Sequence, residues 1–166
     1  MSSVTSALSD VAASLSPDEL TKKVEEIKAA GNERFLKGDY TQAKALYTDA
    51  LSLNPNIVAI YSNRAICELK LEQYGLAIAD ATKAIELDAT FAKAYYRRAC
   101  AHLAILDPKA ALPDLKMVVK LDPRNAQVKM QLDATSKLVR RLEFEKAIRV
   151  EAVSYTHLTL PTILLV

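Results

Sequence analysis

The chain is 166 residues long, with a formal net charge of +2 at pH 7 and a sequence pI near 8.5. This length suits one domain with a sizeable core. The small net charge argues against a protein whose main partner is nucleic acid or a membrane surface. Three glycines occur in the whole sequence, so glycine-rich phosphate loops are not expected, and the abundant Ala and Leu favour helices.

The two ends of the chain differ from its middle. Residues 1–19 begin with the small and polar run MSSVTSALSDVAASL and are predicted to be disordered. They lack the charged start and apolar run of a signal peptide, so we expect a cytoplasmic or a nuclear location. Residues 151–166 end in VSYTHLTLPTILLV, which resembles translated cloning-adaptor sequence. We interpret them as a cloning-derived or disordered tail, with a native hydrophobic C-terminus as the alternative.

A capping signal marks the start of the first helix. Ser16 is followed by Pro17, and Glu19 comes three residues after Ser16, which is typical of a helix N-terminus. Gly38 and Asp39 are predicted to end this helix at about residue 37, because glycine readily adopts the backbone conformation that terminates a helix.

A period of about 34 residues organises the chain from about residue 24 to residue 126. Three sets of small or apolar residues carry it: Gly31, Ala65 and Ala99; Ala43, Ala77 and Ala111; and Leu53, Leu87 and Leu121. Small residues at a fixed spacing let paired helices approach closely, as a stacked helical repeat requires. The period predicts helix pairs at 22–37 and 41–54, 58–71 and 75–88, and 92–105 and 109–121, with a seventh helix at about 125–149.

This pattern, clearest in GNERFLKGDYTQAKALYTDALSLNP, resembles the tetratricopeptide repeat. The resemblance implies an all-α fold in which three repeats, at about 24–57, 58–91 and 92–125, form six antiparallel helices of a right-handed superhelical solenoid. The seventh helix is predicted to cap the stack and to complete a domain at 20–150. Two prolines depart from the repeat pattern. Pro108 suits a helix start, and Pro113 is expected to distort its helix locally without ending it.

Five polar residues are predicted to lie on one concave face, because helical spacing points them the same way from the first helix of each pair. They are Lys28 and Asn32 in the first repeat, Asn63 in the second, and Lys93 and Arg97 in the third. Ammonium, guanidinium and amide groups all donate hydrogen bonds, so the set suits the oxygens of two carboxylates, one from a side chain and one from a chain terminus. The alternative is that these residues are solvated charges on amphipathic helices.

The five residues match, position for position, the dicarboxylate clamp of co-chaperone tetratricopeptide domains. That resemblance implies that the partner is the C-terminal Glu-Glu-Val-Asp peptide of heat shock protein 90 or 70, with Lys70 as an accessory contact. We expect no cofactor, metal, nucleic acid or membrane partner. The lone His102 is interpreted as a packing residue, and Cys67 and Cys100 as buried, reduced thiols.

Two further segments, YGLAIADATKAIELDATFAKAYYRRA and KMQLDATSKLVRRLEFEKAI, resemble the N-terminal domain of the type 5 serine/threonine protein phosphatases. In that family the domain also covers the active site of a catalytic domain, which implies an autoinhibitory role beside a targeting role. The phosphatase motifs Asp-x-His, Gly-Asp-x-x-Asp-Arg and Asn-His-Glu do not occur in this sequence, so we expect no catalysis by this chain. The alternatives are a stand-alone co-chaperone and a scaffold that binds another acidic peptide.

Overall fold

The computed structural model describes residues 16–156, and their side chains up to residue 150. Within that range it contains seven α-helices and no strand, which confirms the all-α prediction. The helices are α1 (Pro17–Leu36), α2 (Tyr40–Leu53), α3 (Val58–Lys70), α4 (Tyr74–Leu87), α5 (Ala92–Ala104), α6 (Pro108–Leu121) and α7 (Ala126–Thr156). None of them is both long enough and apolar enough to cross a membrane.

The helices form three pairs and a cap. Connections are three residues long within a pair and four residues long between pairs, and each helix packs against the next one along the chain. Such short connections make neighbouring helices antiparallel. Helix α3 also contacts α5 directly, whereas the second helices of successive pairs approach each other less. The first helices α1, α3 and α5 therefore lie along the inner side of the stack, with α7 packed on α6.

The turn inside each pair needs one residue in the left-handed backbone region. Gly38, Glu72 and Leu106 hold this position, with φ angles of 79°, 58° and 60°, and each stands at the same place in its own repeat. Glycine adopts such an angle without strain, whereas Glu72 and Leu106 do so at a cost of about 1 kcal/mol. The sequence period is thus present in the backbone as well as in the side chains.

Close packing explains the small residues of the period. Ala43, Ala77 and Ala111 are completely buried, as are Ala65 and Ala99. Gly31 belongs to the same set, and a Cβ atom at this position would lie 2.7 Å from Cε1 of Tyr47. The first set of helices buries Val24, Tyr47 and Ile60 in one cluster, while Leu115, Val118 and Val128 join the third pair to α7 in another.

Buried ion pairs also repeat with the period. Arg64 on α3 donates two hydrogen bonds to Asp80 on α4, at 2.6 and 2.7 Å, and a third to Thr48 on α2 at 3.1 Å. The same three contacts recur in the next repeat, from Arg98 to Asp114 at 2.8 and 2.7 Å and to Thr82 at 3.1 Å. Each arginine therefore links its own pair to the preceding one, a contact that was not predicted from the sequence.

The structure differs from the predicted boundaries at both ends. Helix α1 begins at Pro17, with the Ser16–Glu19 capping box formed, so it includes residues 17–19 of the segment predicted to be disordered. Helix α7 continues to Thr156, well into the predicted tail, because no proline or glycine interrupts it before that point. The remaining predictions for both ends, on residues 1–15 and 157–166, lie outside the described residues. Pro108 stands at the first position of α6, and Pro113 lies inside this unbroken helix.

Candidate functional site

A groove runs along the inner side of the first helices. One part, with a volume of about 210 Å³, is lined by Asn32, Asn63 and Arg97. The adjoining part, of about 540 Å³, is lined by Lys70, Lys93 and Arg97. Arg97 and Ile66 line both parts, so the two depressions adjoin each other. The structure thus brings four of the five predicted clamp residues, and the predicted accessory residue, to one groove.

Arg97 lies at the centre of this groove. Its guanidinium donates hydrogen bonds to the backbone carbonyl and to the hydroxyl of Ser62, a completely buried residue on α3. Burial lowers the pKa of Arg97 from its ordinary value, but an arginine remains protonated at neutral pH even so. The nearby Cys67 and Tyr47 stay neutral, because burial raises their pKa values to about 11 and about 12. Arg97 is therefore a fixed positive charge beside neutral groups.

The two asparagines are joined to each other and to a buried tyrosine. The hydroxyl of Tyr47 on α2 donates to Oδ1 of Asn32 on α1 at 2.7 Å. The side-chain nitrogen of Asn63 on α3 donates to the same oxygen at 3.1 Å. Both amides are half-buried and line the narrower part of the groove. This network crosses three helices and sets the orientation of both amides.

The lysines have different surroundings. Lys28 lies on α1, one turn before Asn32, and its ammonium contacts both oxygens of Glu25, at 2.8 and 3.0 Å. Lys70 and Lys93 are exposed on α3 and at the start of α5. Among the residues whose side chains are described, no carboxylate oxygen comes within 4.0 Å of Lys70, Lys93 or Arg97. Three cations therefore reach the groove without an internal counter-ion.

Apolar side chains form the walls between these charges. Ile66, Leu69, Tyr74 and Tyr96 line the wider part of the groove, and Phe35 lines the narrower part. Low-dielectric walls strengthen the attraction between the cations and an anionic ligand, since they keep water away from the contact. The groove can therefore hold an extended acidic ligand with apolar side chains between its charges.

Several groove residues were not predicted from the sequence. Tyr47, Ser62 and Glu25 contact predicted clamp residues, but their roles depend on packing between helices that the repeat pattern does not specify. Cys67 is buried as predicted, whereas Cys100 is half-buried and lines the groove beside Arg97. The prediction that both thiols are buried is therefore wrong for Cys100, because α5 is open to the groove on this side.

Candidate metal-binding side chains are scattered over the part of the chain that the structure describes. No group of three or more His, Cys, Asp or Glu side chains is placed to hold a metal ion among those residues. His102 is half-buried on α5, and its Nδ1 atom has no hydrogen-bond partner there.

Comparisons with known proteins agree with this fold. The tetratricopeptide repeat (TPR) family matches residues 29–57 and 58–91. Serine/threonine-protein phosphatase T of Aspergillus oryzae is 49% identical over 124 residues, which are 75% of this chain and 26% of that protein. Serine/threonine-protein phosphatase 5 of Rattus norvegicus is 42% identical over 127 residues, with shares of 76% and 26%. The chain thus spans about a quarter of the length of these curated relatives.

Solved structures with bound peptides are also similar. The first TPR of Spaghetti (RPAP3) bound to the HSP90 peptide SRMEEVD has a TM-score of 0.70 and 28% identity to this chain. The match covers 72% of this chain and 94% of the Spaghetti chain. The TPR2B domain of yeast Sti1 in complex with an Hsp70 peptide has a TM-score of 0.67 and 32% identity, with shares of 70% and 98%. From its repeats, its helix pairs and these relatives, we conclude that the chain belongs to the tetratricopeptide-repeat family.

Proposed function

We propose that this chain is a peptide-binding module for the C-terminal Glu-Glu-Val-Asp sequence of heat shock protein 90 or 70. The residues proposed to bind it are Lys28, Asn32, Asn63, Lys93 and Arg97, with Lys70 as an accessory contact. The observation that carries the proposal is a single groove that combines two amides with three cations lacking an internal counter-ion. Similar TPR domains bound to an HSP90 peptide and to an Hsp70 peptide support it.

The two ends of the groove suit the two carboxylates of such a peptide. Lys28, Asn32 and Asn63 are proposed to hold the main-chain carboxylate at the peptide terminus, because amide and ammonium groups together can donate to both of its oxygens. Lys93 and Arg97 are proposed to hold a side-chain carboxylate. Each charge-assisted hydrogen bond of this kind contributes roughly 1.5–3 kcal/mol.

The apolar walls suit the valine of the same peptide. Ile66 and Phe35 line the narrower part of the groove beside the asparagines, so an aliphatic side chain next to the terminal residue can be buried there. Burial of apolar surface adds affinity without requiring another charge. A scaffold for acidic peptides in general has no need for apolar walls beside its cations.

Titration calorimetry with the peptide SRMEEVD tests the proposal. We expect wild type to bind with a dissociation constant in the micromolar range. Lys93→Ala and Arg97→Ala should each weaken binding by about tenfold or more, because each removes a charge-assisted contact. Lys116→Ala is the matched control, since Lys116 is an exposed lysine on α6. Equal affinities for all four proteins would contradict the proposal, and the peptide SGPTIEEVD measures the preference between the two chaperones.

We propose as a second role that the chain is the targeting and autoinhibitory part of a phosphatase 5-like enzyme. The observation in its favour is the 49% identity to phosphatase T over 124 residues, which is higher than the identity to the peptide-bound TPR structures. Added in trans, the chain should inhibit the isolated catalytic domain of a phosphatase 5, and the peptide SRMEEVD should relieve that inhibition. Unchanged phosphatase activity at a hundredfold excess of the chain would contradict this role.

A further inference from the structure

The side-chain oxygen of Asn32 already accepts two hydrogen bonds, whereas its side-chain nitrogen donates none to the described residues. Its Oδ1 accepts one hydrogen bond from the Tyr47 hydroxyl at 2.7 Å and another from Asn63 at 3.1 Å. Its Nδ2 donates no hydrogen bond to any residue that the structure describes, although Asn32 lines the groove. The amide therefore has two donor positions left for a ligand and no acceptor position left.

This orientation matters because an asparagine amide can be turned over, which exchanges the places of its oxygen and its nitrogen. In the orientation of the structure, the groove receives an N–H donor, which attracts a carboxylate. In the opposite orientation it receives a carbonyl oxygen, which repels one. Only the neighbours of the amide decide between the two orientations. In the structure the Tyr47 hydroxyl donates the shorter of the two hydrogen bonds that Asn32 Oδ1 accepts.

Tyr47 is well suited to that task. It is 1% exposed, and burial raises its pKa to about 12, so its hydroxyl keeps its proton at any physiological pH. Its ring lies against the backbone of Gly31, the residue before Asn32. The ring cannot shift without disturbing that contact, so the hydroxyl is held in one place. A donor fixed in this way prepares the site before the ligand arrives.

We propose that Tyr47 is a positioning residue, whose hydroxyl holds the Asn32 amide with its nitrogen toward the carboxylate of the ligand. This inference rests on the proposed function, since it concerns the residues that would bind the peptide terminus. Tyr47 also lines the narrower part of the groove, but it is only 1% exposed, so we expect it to act through Asn32 rather than by direct contact with the ligand. Its effect should therefore appear only with a ligand that carries a terminal carboxylate, and only while Asn32 is present.

Tyr47→Phe tests the inference, because it retains the ring against Gly31 and removes the hydroxyl. Calorimetry should show about fivefold weaker binding of the free-acid peptide SRMEEVD, the loss of roughly one hydrogen bond. The same peptide with an amidated C-terminus should bind wild type and Tyr47→Phe equally, because a terminal amide can pair with either orientation of Asn32. Tyr95→Phe is the matched control, since Tyr95 is also buried but its hydroxyl donates to the carbonyl of Ala89.

The variant Asn32→Ala separates an effect of Tyr47 on the Asn32 amide from a general effect of Tyr47 on the structure. In Asn32→Ala, the further change Tyr47→Phe should leave the affinity for the free-acid peptide unchanged. The positioning role is overturned if Tyr47→Phe binds the free-acid peptide as wild type does. It is also overturned if the variant weakens the amidated peptide equally, or if its effect persists without Asn32.

Failure of the proposed function and failure of Tyr47→Phe to fold can each be recognised separately. If wild type binds the free acid and the amidated peptide equally, the proposed function fails and this inference fails with it. If Tyr47→Phe does not fold, the inference is tested instead by NMR of the wild-type protein, through the side-chain NH₂ resonances of Asn32. They should shift when the free-acid peptide is added, and unchanged resonances at saturating peptide would overturn the inference.

Discussion

A Cβ atom on Gly31 would lie 2.7 Å from Cε1 of Tyr47, so the two residues fit together only because position 31 carries no side chain. Gly31→Ala should lower the free energy of unfolding by about 1–3 kcal/mol, since overpacking outweighs the better helix propensity of alanine. It should also weaken binding of SRMEEVD, because the Tyr47 hydroxyl moves with its ring. Urea unfolding followed by circular dichroism, together with calorimetry, measures both effects.

Gly75→Ala is the control for this prediction. Gly75 also lies in a helix, but a Cβ atom there would have no neighbour within 4 Å. This variant should be neutral or slightly more stable than wild type, by up to about 1 kcal/mol. Equal stability of the two alanine variants would show that the contact between Gly31 and Tyr47 is not a tight one.

We expect Glu25 to compete with a bound peptide for Lys28. Its carboxylate contacts the Lys28 ammonium at 2.8 Å, so a bound peptide must displace it or share the ammonium. An exposed ion pair of this kind is worth about 0.5 kcal/mol. Glu25→Gln should therefore tighten binding of SRMEEVD about twofold, as measured by calorimetry at low salt. The effect should vanish in Lys28→Ala, and a gain that persists there would mean that Glu25 acts on another residue.

The ion pair between Arg98 and Asp114 should stabilise the stack strongly. Both side chains are largely buried, with exposed fractions of 23% and 5%, and Asp114→Ala would leave the arginine charge buried and unpaired. Loss of one partner in such a pair costs about 3–5 kcal/mol. Asp133→Ala is the control, because its ion pair with Lys137 is exposed and should be worth less than about 1 kcal/mol. If urea unfolding shows similar losses of unfolding free energy for Asp114→Ala and Asp133→Ala, the pair of Arg98 and Asp114 does not stabilise the stack as proposed.

Glu68 is a buried acid in the centre of the stack. It is 4% exposed, its Oε2 atom has no hydrogen-bond partner among the described residues, and the nearest ammonium, that of Lys44, is 4.0 Å from Oε1. Burial, followed by the charge of Asp80, raises the pKa of Glu68 to about 7, although Arg64 and Lys44 act in the opposite direction. The folded protein therefore binds this proton more tightly than the unfolded chain does.

This difference in proton binding makes the free energy of unfolding depend on pH. Between the ordinary pKa of 4.5 and about pH 7, the unfolded chain loses the proton while the folded protein keeps it, so the free energy of unfolding falls as the pH rises. Over this window the loss is as much as about 3 kcal/mol. Glu68→Gln should match wild type near pH 4.5 and be more stable above pH 7. Parallel curves for the two proteins would contradict it, and Glu86→Gln, at an exposed position, is the control.

The repeat period of the sequence was sufficient to predict the helix pairs. The observed bounds of α2 to α6 lie within one residue of the predicted ones, whereas α1 begins five residues before the predicted residue 22. The residues that form the contacts of Arg64 and Arg98 also recur in the sequence, because each arginine, aspartate and threonine of the first set has an equivalent one repeat later. They were missed because charged residues in a helical pattern are usually solvated.

The surroundings of the predicted site residues could not be predicted in the same way. Repeat register places Asn32 and Asn63 on the inner helices, but it does not specify which donor each amide meets. The contacts of Tyr47 with Asn32 and of Ser62 with Arg97 join residues that are 15 and 35 positions apart. Such contacts depend on how side chains pack between helices, and no periodicity encodes them.

A structure of the complex with SRMEEVD would show which side chains hold the terminal carboxylate of the peptide. The measurement is the distance from the two oxygens of the terminal main-chain carboxylate to the side-chain nitrogens of Asn32 and Asn63. We predict hydrogen-bond distances of about 2.7–3.2 Å, with a side-chain carboxylate of the peptide on Lys93 and Arg97. A terminal carboxylate bound elsewhere, with both asparagine nitrogens facing solvent, would contradict the proposed binding mode.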